Sequence, residues 1–180
     1  TPANHPISDI AFDSADYMYI AQRGGIKGSY DYSVFADSKQ SVLWRFKREI
    51  PDDPETPGIW VPIPDEYAVG FPPDYRNTSG GVALGYGYDE SGVTRRGACD
   101  VFVWSTGDSL RDNAEYADEL EAGGPTVIHG LQGNDRALIR PDNEPPFAAY
   151  FVDYDGKSDD PENQGHAGDV EIWQPCDPKA

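Results

Sequence analysis

The stretch DYDGKSDDPENQGHAGD, Asp153 to Asp169, packs five aspartates, one glutamate and one histidine into seventeen residues. Carboxylate oxygens on a loop with tight glycine turns are the donor set of a hard cation such as Ca²⁺, which takes roughly six to eight of them. Asp153 and Asp155 alternate, so a continuing strand points both the same way. Asp159, Asp160 and Glu162 can return toward them from the loop, and Asp169 closes the set. The spacing is not that of an EF-hand, because Gly156 falls fourth and Gln164 twelfth in the run. Two readings therefore stand together: a solvated acidic turn, or a calcium site built from these six carboxylates.

His129 in VIHGLQG and His166 in GHAGD add imidazoles that could meet near this loop. Two histidines with a carboxylate make a catalytic metal centre or a general base. A nucleophile is not signalled: YSVF and WSTG lack a GxSxG context, and neither cysteine has an acid–base neighbour. The glycine-rich GGVALGYGYDESG has no Lys-Ser/Thr ending, so it reads as a strand whose glycines admit close packing rather than a phosphate loop. The chain leans away from catalysis. Tyrosines offer another chemistry: Tyr67, Tyr75, Tyr86 and Tyr88, with His129 and His166, are candidates for a carbohydrate or peptide platform. The competing reading is aromatic packing of long loops onto strands. Asn77-Thr78-Ser79 forms a glycosylation sequon.

The whole chain bounds what such groups can serve. Its 180 residues suit a single β domain, spanning 1–180, and 32 acidic against 14 basic residues leave a formal net charge of −18. That charge repels phosphate backbones and anionic membrane surfaces, so nucleic acid is excluded as a partner. No apolar run is long enough to span a bilayer. The two cysteines, Cys99 and Cys176, can close a loop of nearly eighty residues in an oxidising compartment. With the opening TPANHP, which lacks Met, this points to an extracytoplasmic protein.

The elements that must position these groups are short strands between turns. The clearest are SDIAFD, YMYIAQ, SVLWRFKRE, GVALGYGYD, CDVFVWST, PTVIHGL, RALIRP, AAYFVDYD and GDVEIWQP. Gly107 to Gly124 is the one helical candidate, capped by Asp108 or Ser109 and carrying Leu110, Tyr116 and Leu120 on a sparse stripe. The proline-rich segment 51–73 reads as an ordered edge loop pinned by Trp60, Tyr67 and Phe71. The hairpin HPISDIAFDSADYMYIAQRGG is echoed by SGGVALGYGYDESGVTRRGACDVFVWSTG. It is echoed more loosely by VIHGLQGNDRALIRPDNEPPFAAYFVDYDG, so blade-like units fall at about 6–50, 80–107 and 126–176.

HPISDIAFDSADYMYIAQRG…SVLWRFKRE resembles one blade of an NHL-type or SMP-30/gluconolactonase-like β-propeller. The resemblance implies a mostly β fold of propeller-like blades, about three to four and incomplete, since a closed ring takes roughly 4–8. A β-sandwich with long loops is the runner-up. The functional expectation is an extracellular structural or interaction module, acting through a protein partner or self-assembly and stabilised by calcium. A metal-dependent lactonase or hydrolase and a carbohydrate-binding module are the alternatives. The disulfide expectation is tested by Cys99→Ser. That change lowers the melting temperature only under non-reducing conditions, since a loop of this length contributes about 4–5 kcal/mol; an unchanged melting temperature contradicts the pairing.

Overall fold

The computed structural model describes residues 5–24, 40–50, 55, 57–71, 73–95, 97–124, 126–154, 156–157 and 168–173. The protein is mostly β, arranged as antiparallel sheets. In the first, β1 (Ile7–Phe12), β2 (Tyr17–Gln22) and β3 (Val42–Ile50) form a meander. β4 (Ile59–Trp60) and β5 (Asp65–Tyr67) divide the remaining edge of β3 between them, as the edge reading of the proline-rich segment requires. The second sheet runs β11-β10-β9-β6, made of β6 (Thr78–Gly85), β9 (Phe102–Gly107), β10 (Gly130–Asp135) and β11 (Tyr150–Asp153). A two-stranded ribbon, β7 (Gly87–Tyr88) with β8 (Thr94–Arg95), lies in the chain segment that connects the paired strands β6 and β9. Among the described residues no sheet closes on itself.

Alternation decides which faces turn inward. Tyr19, Ala21, Leu43 and Tyr67 share one face of the first sheet, and Val82 and Val103 share one face of the second. These side chains meet Val69, Leu110 and Ile128 in a single core, so the two sheets bury each other. β6 is buried along nearly its whole length, because β1 and β2 lie against it. Gly80 sits at its bulge with φ +106°, and a Cβ there would lie 2.4 Å from Ser8 Oγ. Only glycine fits both the backbone and the space.

The interior where the sheets meet is polar. Asp13, in the β1–β2 turn, has a fully buried side chain. It accepts hydrogen bonds from the Ala15 and Tyr17 N–H groups (2.8 and 2.9 Å), the Tyr19 hydroxyl (2.9 Å) and Arg136 (2.7 Å), which follows β10. The Arg136 carbonyl in turn accepts from Tyr67 (2.6 Å) and Arg45 (2.7 Å), and Arg45 also donates to Asp65. Burial pushes the Tyr67 phenol up to about 12, although Arg45 pulls against it. Tyr19 is pushed up by burial, Tyr67 and Asp13. Both remain neutral donors. Gln132 does similar work deeper in: it donates to Ala68 O and Asn134 Oδ1 and accepts the Gly70 N–H at 2.7 Å.

Several expected elements are replaced by turns. Helix α1 covers only Ala117–Ala122, because Asn113 Oδ1 accepts the Glu115 and Tyr116 N–H groups and holds that stretch in a turn. RALIRP is not a strand: Asp135 Oδ1 accepts the Ala137 N–H and bends the chain away. PTVIHGL enters the sheet only at Gly130. Residues 168–173 of GDVEIWQP form no strand and lie across β6, with the Asp169 Cα 2.8 Å from where a Gly81 Cβ would be. Truncating Asp13 strands several buried partners at once. Asp13→Ala should cost about 3 kcal/mol or more of unfolding free energy with an unchanged urea m value. A loss below about 0.5 kcal/mol contradicts the role given to this turn.

Candidate functional site

The outward face of the second sheet carries a packed aromatic cluster in which Trp104 is buried and Tyr150 is exposed. Register places Ala83, Trp104, Gly133 and Tyr150 in one row across the four strands, with Phe102 beside it. A Cβ on Gly85 would lie 2.7 Å from the indole nitrogen of Trp104, and one on Gly133 would lie 2.8 Å from the far end of the ring. The indole thus lies flat over two strands that carry no side chain beneath it. Tyr88, brought by the β7–β8 ribbon, stands edge-on to Trp104 and Phe102 and packs against Tyr150 at 5.2 Å between centroids. Phe102 and Tyr150 close the group at 5.3 Å. Burial, with Tyr150 beside it, pushes the Tyr88 phenol up.

A cleft of about 220 Å³ opens beside this cluster, walled by Tyr86, Tyr88, Trp104, Leu131, Val152 and Ile172. Among the described residues its lining holds no carboxylate and no imidazole. Such a surface can bind by stacking and by phenol and indole hydrogen bonds, but it offers no group to move a proton at neutral pH. Tyr150 and Val152 remain 43% and 45% exposed, so the aromatic strip runs out to the sheet edge in contact with solvent.

The other predicted groups are dispersed. Tyr67 and Tyr75 are buried, Tyr67 in the core and Tyr75 beneath the Arg140 guanidinium; of the tyrosine set, only Tyr86 and Tyr88 share a cleft. His129 is buried and pairs through Nδ1 with Asp108. Its Nε2 has no partner among the described residues, so it relays to no hydroxyl there. His166 lies outside the described residues, as do Asp155, Asp159, Asp160, Glu162 and Cys176. Asp153 ends β11, where it accepts the His129 and Gly156 N–H groups. Asp169 sits beside β6, at the opposite edge of the sheet. Among the described residues no three or more His, Cys, Asp or Glu groups are placed to hold a metal ion. Cys99 is not free.

A second cleft, about 340 Å³, lies between β1 and β6 and is acidic, with Asp9, Asp100 and Glu171 in its walls. Asp9 accepts the Val82 N–H at 2.6 Å and the Ile10 N–H at 2.7 Å, tying the two sheets together. Burial raises its carboxyl above the ordinary value, and the Asp169 carboxyl adds to the rise against the pull of those two N–H groups.

Comparison with protein-family models, curated proteins and solved structures finds no match. Among the described residues no helix is long and apolar enough to cross a membrane.

The Asp9 carboxyl gives a pH signature. A carboxyl whose pKa rises on folding contributes its stability below its unfolded value, and that contribution is lost as pH climbs through the raised folded value. Asp9→Asn stays neutral and keeps an acceptor for the Val82 N–H. Between about pH 4 and 7 its melting temperature should therefore fall less than that of the parent. Parallel pH profiles contradict the assignment.

Proposed function

We propose that this chain is an extracytoplasmic interaction module that recognises a macromolecular partner through the aromatic outer face of its second sheet. The observation that carries the reading is the Tyr88–Phe102–Trp104–Tyr150 group, in which Trp104 is buried and Tyr150 exposed, beside a cleft whose described lining holds no acid–base group. Rigid aromatic anchors with few rotamers are what binding surfaces use. Further apolar side chains on the first sheet, Phe12 and Ile10 among them, support contact with other protein.

The architecture admits two finer descriptions. The β1–β2–β3 meander supports a blade-like first unit, while the shared core between the sheets supports the sandwich-like alternative. Calcium at the 153–169 loop belongs to the same proposal as a stabiliser.

A carbohydrate ligand is the second reading, favoured by the cleft that Tyr86 and Tyr88 line beside Trp104. Titrating Trp emission with soluble oligosaccharides and with peptide panels separates the two. The module reading expects saturable binding that Tyr88→Ala weakens by about tenfold or more with the melting temperature nearly unchanged. Failure of every panel, together with ester or lactone hydrolysis abolished by Asp153→Asn, overturns it in favour of a hydrolase.

A further inference from the structure

Among the described residues β11 is the terminal strand of the second sheet. β11 pairs with β10 and has no other strand neighbour among the described residues. Tyr154 N–H donates to the His129 carbonyl, so alternation in the antiparallel ladder directs the main-chain groups of Val152 and Tyr150 toward β10. Those of Phe151 then face the edge. An exposed edge of this kind is a template for a further strand.

Beside this edge lies a cleft of about 390 Å³. Phe71, Phe147, Phe151, Ile128 and Leu120 wall it with apolar surface, and α1 forms its far side. The far wall is braced: buried Arg111 donates to the Leu120 carbonyl at 2.7 Å and places its guanidinium over the Phe151 ring. Phe71, Phe147 and Tyr116 pack mutually, with centroids 5.4–6.1 Å apart. An extended chain lying along β11 would send alternate side chains into this cleft and the others outward beside Tyr150 and Val152.

Charge selects among extended chains. The cleft wall itself holds one cation and one anion, buried Arg111 and exposed Glu119, while the rim beyond it, residues 112–121, carries Asp112, Glu115, Asp118, Glu119 and Glu121 without a lysine or arginine. A second copy of this chain brings a net charge of −18 to that rim and is repelled. A segment with lysine or arginine beside its apolar residues is attracted.

We infer that the β11 edge and the cleft between it and α1 form a docking groove for an extended, basic, apolar-alternating segment of a partner protein, which adds to the second sheet as a fifth strand. This rests on reading the chain as an interaction module and names the partner's chemistry. The mode is strand addition, in which main-chain hydrogen bonds supply affinity and the cleft supplies selectivity.

The test titrates the full chain with short, end-blocked, fluorescently labelled peptides that alternate valine or leucine with lysine, and with the same peptides carrying glutamate. The lysine series should saturate and the glutamate series should not. N-methylation of the edge-facing peptide amides should weaken binding by about tenfold, as should Glu119→Lys with Glu121→Lys, both on exposed positions of α1. Higher salt should weaken it too. Equal binding of the glutamate series, indifference to N-methylation, or a concentration-dependent dimer displaced by the peptide each overturns the inference. Tyr88→Ala separates the two claims. If an aromatic-face ligand binds and that variant loses it while no peptide binds β11, the groove fails and the module reading survives. If neither surface binds anything, both fail.

Discussion

A fully buried carboxylate joins the two sheets. Asp13 sits in a turn of the first sheet, and its counter-charge, Arg136, leaves the last residue of β10 in the second. A charge in that position is tolerable only when paired and hydrogen-bonded on every side, and here two backbone N–H groups, Tyr19 and Arg136 complete the shell. The arrangement fixes how the sheets face one another, since Arg136 and its carbonyl can reach Asp13, Tyr67 and Arg45 only when the inner faces are opposed. A second ionic cluster, Glu66 with Arg76 and Arg140, repeats the device. Burial alone would raise the Glu66 carboxyl, yet the two guanidinium groups outweigh it and lower it.

An interior that relies on polar pairing leaves aromatic surface for elsewhere. The core cluster is small and includes two tyrosines, while Trp104, Phe102, Tyr88 and Tyr150 sit on the outer face of the second sheet. Trp104 is buried within that outer cluster, and Tyr150 is its exposed end.

The strands whose alternation is unbroken were legible from the sequence: ISDIAF, YMYIAQ and VLWRFKREI are β1, β2 and β3 within a residue or two. Misreadings fell where a side chain competes with the main-chain pattern. Asn113 and Asp135 each capture N–H groups two or three residues ahead, which removed most of the expected helix and the RALIRP strand. Of the tyrosines picked out in the sequence, Tyr86 and Tyr88 line one cleft, whereas Tyr67 and Tyr75 look the same in sequence and are buried. Trp104 and Tyr150 were missed. Their signal was the placement of Gly85 and Gly133 against Trp104, and it exists only once strands far apart in the chain are set in register. Asp155, Asp159, Asp160 and Glu162 of the acidic loop fall outside the described residues, whereas Asp153 and Asp169 sit at opposite edges of the second sheet.

The two sheets form one cooperative body around a shared core and polar clamp. Native-state hydrogen exchange tests this most directly, because independently stable blades and a single body open differently. The slowest amides of β2, β3, β9 and β10 should report one common opening free energy and respond alike to denaturant. Protection that persists in β1–β3 while the sheet from β6 to β11 opens at much lower free energy would contradict the account.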